Sequence, residues 1–461
     1  MMHIQIFQGN QIGGCVTVIS AVHNGKTHRI MIDYGASLPG SEVEEDFRYP
    51  WEDEPVDAVF FTHYHGDHTG RIMEIPSGVP LYMGSVARKV MTNIQEALGN
   101  SERISDADVH KREAELLKDD TRVNEFIYNG SCYDAVDLPG FHIEPYMVDH
   151  SAYDAYMFLV EAEDEACEDG YYRILHTGDF RGHGRRGQKM LTLIEAYVRR
   201  FGERTIDALV IEGTMMSRPK EKVLTEPQMQ MEAAKYLKDH MYAFLICSST
   251  NVDSLASFYQ AAQMAGGRPY GRWMYVYSNY FREQLRLYTK TAGTFSTVYR
   301  FGKVGLLKEM GVARKNDRME TAMTQQELME RFGFLAVIKP ADFCEEYIDM
   351  FMEAYHAGRI KQKPVIIYSM WEGYIEPGNK AENKEWTEFL SRQEQKGIKV
   401  ERMHTSGHAT PRMLADVIKA VDPADAIYPM HTECADDFQN LDIGNLRNRI
   451  VPQDDGSYVK I

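Results

Sequence analysis

Along the first 215 residues, short apolar runs recur and each ends in polar residues: His28–Asp33, Ala58–Thr62, Arg173–His176 and Ala208–Ile211. Brief apolar runs bounded by turn residues read as buried strands. Asp, Glu, His or Gly follows each one. Chemistry is therefore expected at the carboxyl ends of strands. Between Glu102 and Asp119 the pattern becomes polar, charged and helical, and reads as an insertion near the site. From about Met216 the texture changes. A helix is predicted from Pro227 to His240, with proline in its first turn and Glu226 beside the cap. The strand Tyr242–Cys247, the loop Ser248-Ser249-Thr250-Asn251 and a helix from Val252 to Ala265 follow. That β-loop-α unit points to a separate α/β domain. Ala341–Gly358 reads as another amphipathic helix, and the apolar strand Pro364–Tyr368 is expected to lead back into the first domain. The organisation predicted is 1–215, an inserted domain over 216–363, and a returning part over 364–461 with two more histidine-bearing loops.

A chain of 461 residues fits two or three folding units. Its 44% apolar and 26% charged residues supply ample core. No apolar run approaches a membrane span, and the start lacks a basic segment followed by a long apolar stretch. Neither a membrane anchor nor a secretory leader is expected. The six cysteines are scattered without a C-x-x-C pair. Free thiols of a reducing compartment, hence a cytoplasmic location, are the expectation. The net charge of −17 argues against a tight, nonspecific nucleic-acid binder. It leaves room for an enzyme with a local phosphate track, because bound cations are themselves positive.

The sharpest local signal is Thr62-His63-Tyr64-His65-Gly66-Asp67-His68, directly after an apolar strand. Three imidazoles and a carboxylate in so short a loop can converge on metal; the bland alternative is a polar turn with solvated histidines. Imidazole and carboxylate without thiolate suit an open catalytic zinc site better than a closed structural one. One loop cannot hold two metals, so partners are needed further along. His150 in Val148-Asp149-His150-Ser151, Asp179 in Thr177-Gly178-Asp179-Phe180 and His431 in Pro429-Met430-His431 each follow an apolar segment. Alone, His150 or His431 reads as an ordinary polar histidine; beside the histidine run that reading reverses, and each becomes a candidate ligand.

The order Asp33, His63/His65/Asp67/His68, His150, Asp179 resembles the motif pattern of the metallo-β-lactamase superfamily. Ile211-Glu212-Gly213-Thr214 resembles motif A of the β-CASP nucleases, with Gly where Ser is commoner. Thr405-Ser406-Gly407-His408-Ala409 resembles motif B, and His431 motif C. Within that group the chain is similar to ribonuclease J and the RNA 3′-processing endonucleases. The resemblance implies an α/β fold: a metallo-β-lactamase αββα sandwich with an inserted α/β β-CASP domain. It implies one Zn2+ on His63, His65 and His150, a second on Asp67, His68 and His431, and Asp179 bridging both. Mn2+ can replace zinc without changing a ligand. Asp33 would orient a ligand histidine, or be a turn aspartate.

The implied reaction is hydrolysis of phosphodiester bonds in single-stranded RNA, with single-stranded DNA also in reach. A hydroxide held between metals about 3.5–4 Å apart would attack. Catalysis would fall to Asp67, Asp179, Glu212 and His408. His408 would act either as general acid or as a hydrogen-bond donor to phosphate. Ser248, Thr250 and Asn251 would hold substrate phosphate or merely cap a helix. Ser406 is a further phosphate candidate. Arg181, with His183, Arg185 and Arg186, would form a phosphate track or a solvated loop, and Trp371 would stack a base or fill core. A homo-oligomer is compatible with all of this. The competing reading is a small-molecule ester or thioester hydrolase of the same fold.

Overall fold

The computed structural model describes residues 2–38, 47–101, 104–266, 271–309, 329, 331–452 and 456–460. The chain divides into two compact units, Met1–Val223 with Gly407–Ile461, and Leu224–Ser406.

The first unit holds two sheets. One contains β1 (His3–Phe7), β2 (Val16–His23), β3 (Lys26–Ile32), β4 (Ala58–Phe60), β5 (Leu81–Met83) and β6 (Val123–Glu125). The other contains β7 (Val136–Leu138), β8 (Phe141–Val148), β9 (Ala155–Glu163), β10 (Tyr171–His176) and β11 (Ala208–Glu212). Successive side chains on a strand point to opposite faces. Phe158, Val160, Ile174 and Val210 accordingly join Ile4, Ile19, Ile30 and Phe60 in a core between the sheets. The alternate residues Leu159, Leu175, Leu209 and Ile211 pack outward against the helical residues Met190, Leu414, Val417 and Ile418.

The second unit is built on six strands paired in parallel: β12 (Tyr242–Cys247), β13 (Trp273–Val276), β14 (Val304–Leu306), β15 (Phe334–Ile338), β16 (Val365–Ser369) and β17 (Lys399–Arg402). Their order is β14-β13-β15-β12-β16-β17. Parallel neighbours require long crossovers. The helices Val252–Ala265, Asn279–Lys290, Asp342–His356 and Lys384–Gln395 lie in four of them. The helix foreseen at Pro227 runs over Glu226–Asp239, opened by a capping box between Thr225 and Gln228.

Two expectations need correction. The strand foreseen at Pro364–Tyr368 does not lead back to the first unit; as β16 it hydrogen-bonds to β12 and β17. A buried parallel strand is apolar on both faces, so its sequence does not say which sheet it joins. The return comes at Gly407, and the first boundary falls after Val223 and not after 215. The helical stretch foreseen from Glu102 contains the helix Ala107–Leu117, packed on the helix Ser85–Gly99; Glu102 and Arg103 lie outside the described residues. The chain then adds β18 (Ala426–Met430) beside β11 and β19 (Tyr458–Lys460) beside β1. No helix among the described residues is long and apolar enough to cross a membrane, and all six cysteines are free.

Candidate metal centre

Strand direction brings the site together. In the second sheet β10, β11 and β18 run parallel, so their ends deliver Asp179, Glu212 and His431 along one edge. In the first sheet β3 and β4 are parallel, and the residues just beyond them include Asp33 and His63. Residues at two of these ends hold uncommon backbone: Asp33 has φ +60° and His431 has φ +52°. Non-glycine residues in the left-handed region persist where the surroundings over-determine them, and such residues cluster at functional sites. Gly178 has φ +54°, and a Cβ there would lie 2.8 Å from the Tyr156 carbonyl oxygen and 2.9 Å from Thr62 Cβ. Only glycine fits the turn that carries Asp179.

Two groups of potential ligands result: His63, His65 and His150; and Asp67, His68, Asp179 and His431. Hydrogen bonds fix which ring nitrogens face inward. His150 Nδ1 lies 2.7 Å from the Gly407 carbonyl oxygen, which can only accept. The proton is thus on Nδ1, and the Nε2 lone pair points towards His65 Nδ1, 3.3 Å away. His63 Nε2 is 3.1 Å from the same His65 nitrogen. Burial keeps all three imidazoles neutral: it lowers His63 and His150 well below the ordinary histidine range and His65 to about 4. Three inward ring nitrogens on neutral rings form a ready receptor for a cation.

In the second group, His68 Nδ1 is 2.8 Å from Asp33 Oδ2, and Thr62 donates to the same carboxylate through N and Oγ1. His68 therefore turns Nε2 towards Asp179 Oδ2 at 3.2 Å. With Nδ1 carrying the proton, two acceptors would face each other there, so a positive charge must sit between them. Without a metal that charge is a proton: burial opposes it, but the Asp179, Asp33 and Asp67 carboxylates raise His68 well above its usual range. Burial likewise opposes ionisation of Asp179, and His431, His68 and His408 outweigh it and hold its pKa well below the ordinary range. Asp179 Oδ1 is buried and makes no hydrogen bond among the described residues. Gly13 N donates to His431 Nε2 at 3.2 Å, and His431 Nδ1 lies 2.7 Å from Thr214 Oγ1. The donor set and the orphaned carboxylate oxygen fit divalent cations.

His408 stands beside these groups. Its Nδ1 is 3.6 Å from Asp179 Oδ2 and 3.7 Å from Glu212 Oε2, and its side chain is 21% exposed where Glu212 is fully buried. Both Glu212 oxygens are held by backbone, from Thr214 N at 2.9 Å and Ala409 N at 2.8 Å. Burial disfavours a charged His408; Asp179 and Glu212 outweigh it and raise its pKa. Glycine at 213 has a steric cause, since a Cβ there would meet the buried Phe438 ring at 2.6 Å. Gly213→Ser is expected to destabilise the fold by about 1–3 kcal/mol through overpacking, read as a lower midpoint in denaturant melts.

The phosphate candidates fare differently. Arg181 is not a phosphate contact: it is fully buried, with Nε 3.1 Å from Asp149 Oδ1. A guanidinium so enclosed and paired has no face for substrate. Asn251 caps the helix Val252–Ala265 by accepting from Ser254 N, and Ser248 and Thr250 hydrogen-bond each other at 2.7 Å. Ser406 is buried, and Trp371 is half-buried with its ring over Gly373. Sequence reading did not single out Thr62, Thr214, Asp149 or the Gly407 carbonyl. Thr62 and Asp149 directly adjoin candidate ligands, the one signal that marks them.

Residues 12–131 match the family model of the metallo-β-lactamase superfamily. The first unit thus carries a domain of that superfamily of metal-dependent hydrolases, with His/Asp groups suited to divalent metal. No curated protein matches the chain. Among solved structures it is similar to a protein of unknown function from Enterococcus faecalis V583, at 16% identity over 100% of both chains with a TM-score of 0.66. That likeness extends to the whole fold and carries no activity. A second, to the subclass B3 metallo-β-lactamase BJP-1 of Bradyrhizobium japonicum, covers 43% of this chain and 70% of that one at 16% identity. Its TM-score of 0.25 is too low to support any inference.

Proposed function

We propose that the chain is a metal-dependent phosphodiesterase of the β-CASP kind, acting on single-stranded nucleic acid with RNA preferred. His63, His65 and His150 would hold one divalent cation, Asp67, His68 and His431 a second, and Asp179 both; zinc suits the donors, and manganese can substitute. Bound there, the cations supply Lewis acidity and lower the pKa of water into the neutral range. Asp33 and Thr214 orient the ligand imidazoles His68 and His431. The inserted second unit is read as the β-CASP domain.

The observation that carries this reading is His408 between Asp179 and Glu212. An alkoxide leaving a phosphate needs a proton, and an imidazole with a raised pKa, partly open to solvent, supplies one. The Glu212 carboxylate, 3.7 Å from the ring, favours its charged form. A thiolate departs without a proton, so a thioester hydrolase gives this pair no task. The test is side-by-side cleavage of 5′-phosphorylated single-stranded RNA and DNA of one sequence, with a 4-nitrophenyl ester and an acyl thioester in parallel. RNA cutting that chelator abolishes and metal restores supports the proposal. Intact strands with rapid ester or thioester turnover would replace it with the small-molecule hydrolase.

A further inference from the structure

The buried ion pair Asp149–Arg181 stands where two ligand-bearing loops meet. Asp149 directly precedes His150, a member of the three-histidine group, and Arg181 lies two residues after Asp179, a member of the other. Both side chains are fully buried, with Arg181 Nε 3.1 Å from Asp149 Oδ1. Backbone strengthens the join: Arg181 N donates to Asp149 O at 2.7 Å. Asp149 Oδ2 accepts from Arg186 N at 2.6 Å and Gly187 N at 2.5 Å. One carboxylate therefore ties the end of β8 to the loop after β10 and to the turn beyond it. The turn is wound so closely that a Cβ on Gly184 would collide with Asp149 Oδ1 and lie 2.6 Å from Arg181 Nε.

We propose that the Asp149–Arg181 pair is the positioning device that sets the spacing between the two ligand groups, holding His150 and Asp179 in register. This rests on the two-cation reading of the site. A buried charge pair is weak as a stabiliser compared with apolar packing, because desolvation offsets its Coulomb attraction. Its geometric specificity is another matter. The planar guanidinium and the carboxylate, held at three points, fix two backbone segments in direction as well as in distance. Neither residue touches substrate or metal in this role; they act through His150 and Asp179.

The decisive variant is Asp149→Asn/Arg181→Met in the full chain. It removes both charges together, so no unpaired buried charge remains, and the asparagine oxygen can still accept from Arg186 N and Gly187 N. Cobalt(II) is titrated into native and variant protein, recording bound ions per chain and the visible absorption spectrum, with circular dichroism and thermal melts as folding controls. The native chain should bind two ions. The folded double variant should bind the second at least tenfold more weakly, with an altered spectrum. A folded double variant with native stoichiometry, affinity and spectrum overturns the positioning role alone. A native chain that binds fewer than two ions overturns the two-cation reading, and the positioning role with it. If the double variant does not fold, Arg181→Lys decides. It keeps the charge and loses the guanidinium plane, so it must weaken the second ion in part, and native affinity in it overturns the proposal.

Discussion

Asp179→Ala should lose bound metal and turnover together. Its carboxylate faces both His68 Nε2, at 3.2 Å, and His408 Nδ1, at 3.6 Å, with the other oxygen 3.8 Å from His431 Nδ1. Removing it takes a shared negative charge from a buried site, so the remaining ligands must compensate any bound cation with one carboxylate fewer. Two cations supply several kcal/mol of charge stabilisation in phosphoryl chemistry, which corresponds to a rate factor of roughly 10⁴ or more. Metal content by elemental analysis should fall from two ions per chain to one or none, with turnover near background. Chelator-treated native protein is the matched control, because it separates loss of ions from loss of the side chain. A variant that keeps two ions and cuts at the native rate would remove Asp179 from the centre of the site.

The legibility of this site follows sequence distance. The loop from His63 to His68 announces itself because its donors are neighbours in the chain, and Asp33, His150, Asp179 and His431 become readable once that loop is seen. Their supports are not readable. Thr214 meets His431 across 217 positions, and the Gly407 carbonyl meets His150 across 257. A backbone carbonyl carries no residue signature at all. Arg181 misleads for a related reason. An arginine just after an acidic ligand looks like a phosphate contact until its partner Asp149, 32 positions upstream, comes into view. The fold shows the same division. Local periodicity and capping mark the helix Glu226–Asp239 and the strand Tyr242–Cys247, whereas the sheet that β16 joins depends on pairing that no local pattern records.

His408→Ala should fold, keep its metal and lose turnover by about 10²–10⁴-fold on a phosphodiester with an alkoxide leaving group, the usual range for a missing general acid. The loss should shrink to a few-fold on bis(4-nitrophenyl) phosphate, whose leaving group departs without a proton. The pH profile supplies an independent check. A general acid works only while protonated, so activity in the native chain falls as pH rises through the His408 pKa. That pKa is raised because Asp179 and Glu212 outweigh the opposing effect of burial, which moves the alkaline limb upward. The variant should lack that limb. Glu212→Gln should bring it to lower pH, since the amide keeps one backbone-accepting oxygen but removes the charge 3.7 Å from the ring. One competing role is open to measurement, because His408 also lies within a ligand-sized group with Asp179, Glu212 and His431. A His408→Ala protein that loses an ion, and loses activity equally on both substrates, would make His408 a ligand. With both ions present and only the alkoxide substrate affected, the proton donor is the remaining assignment.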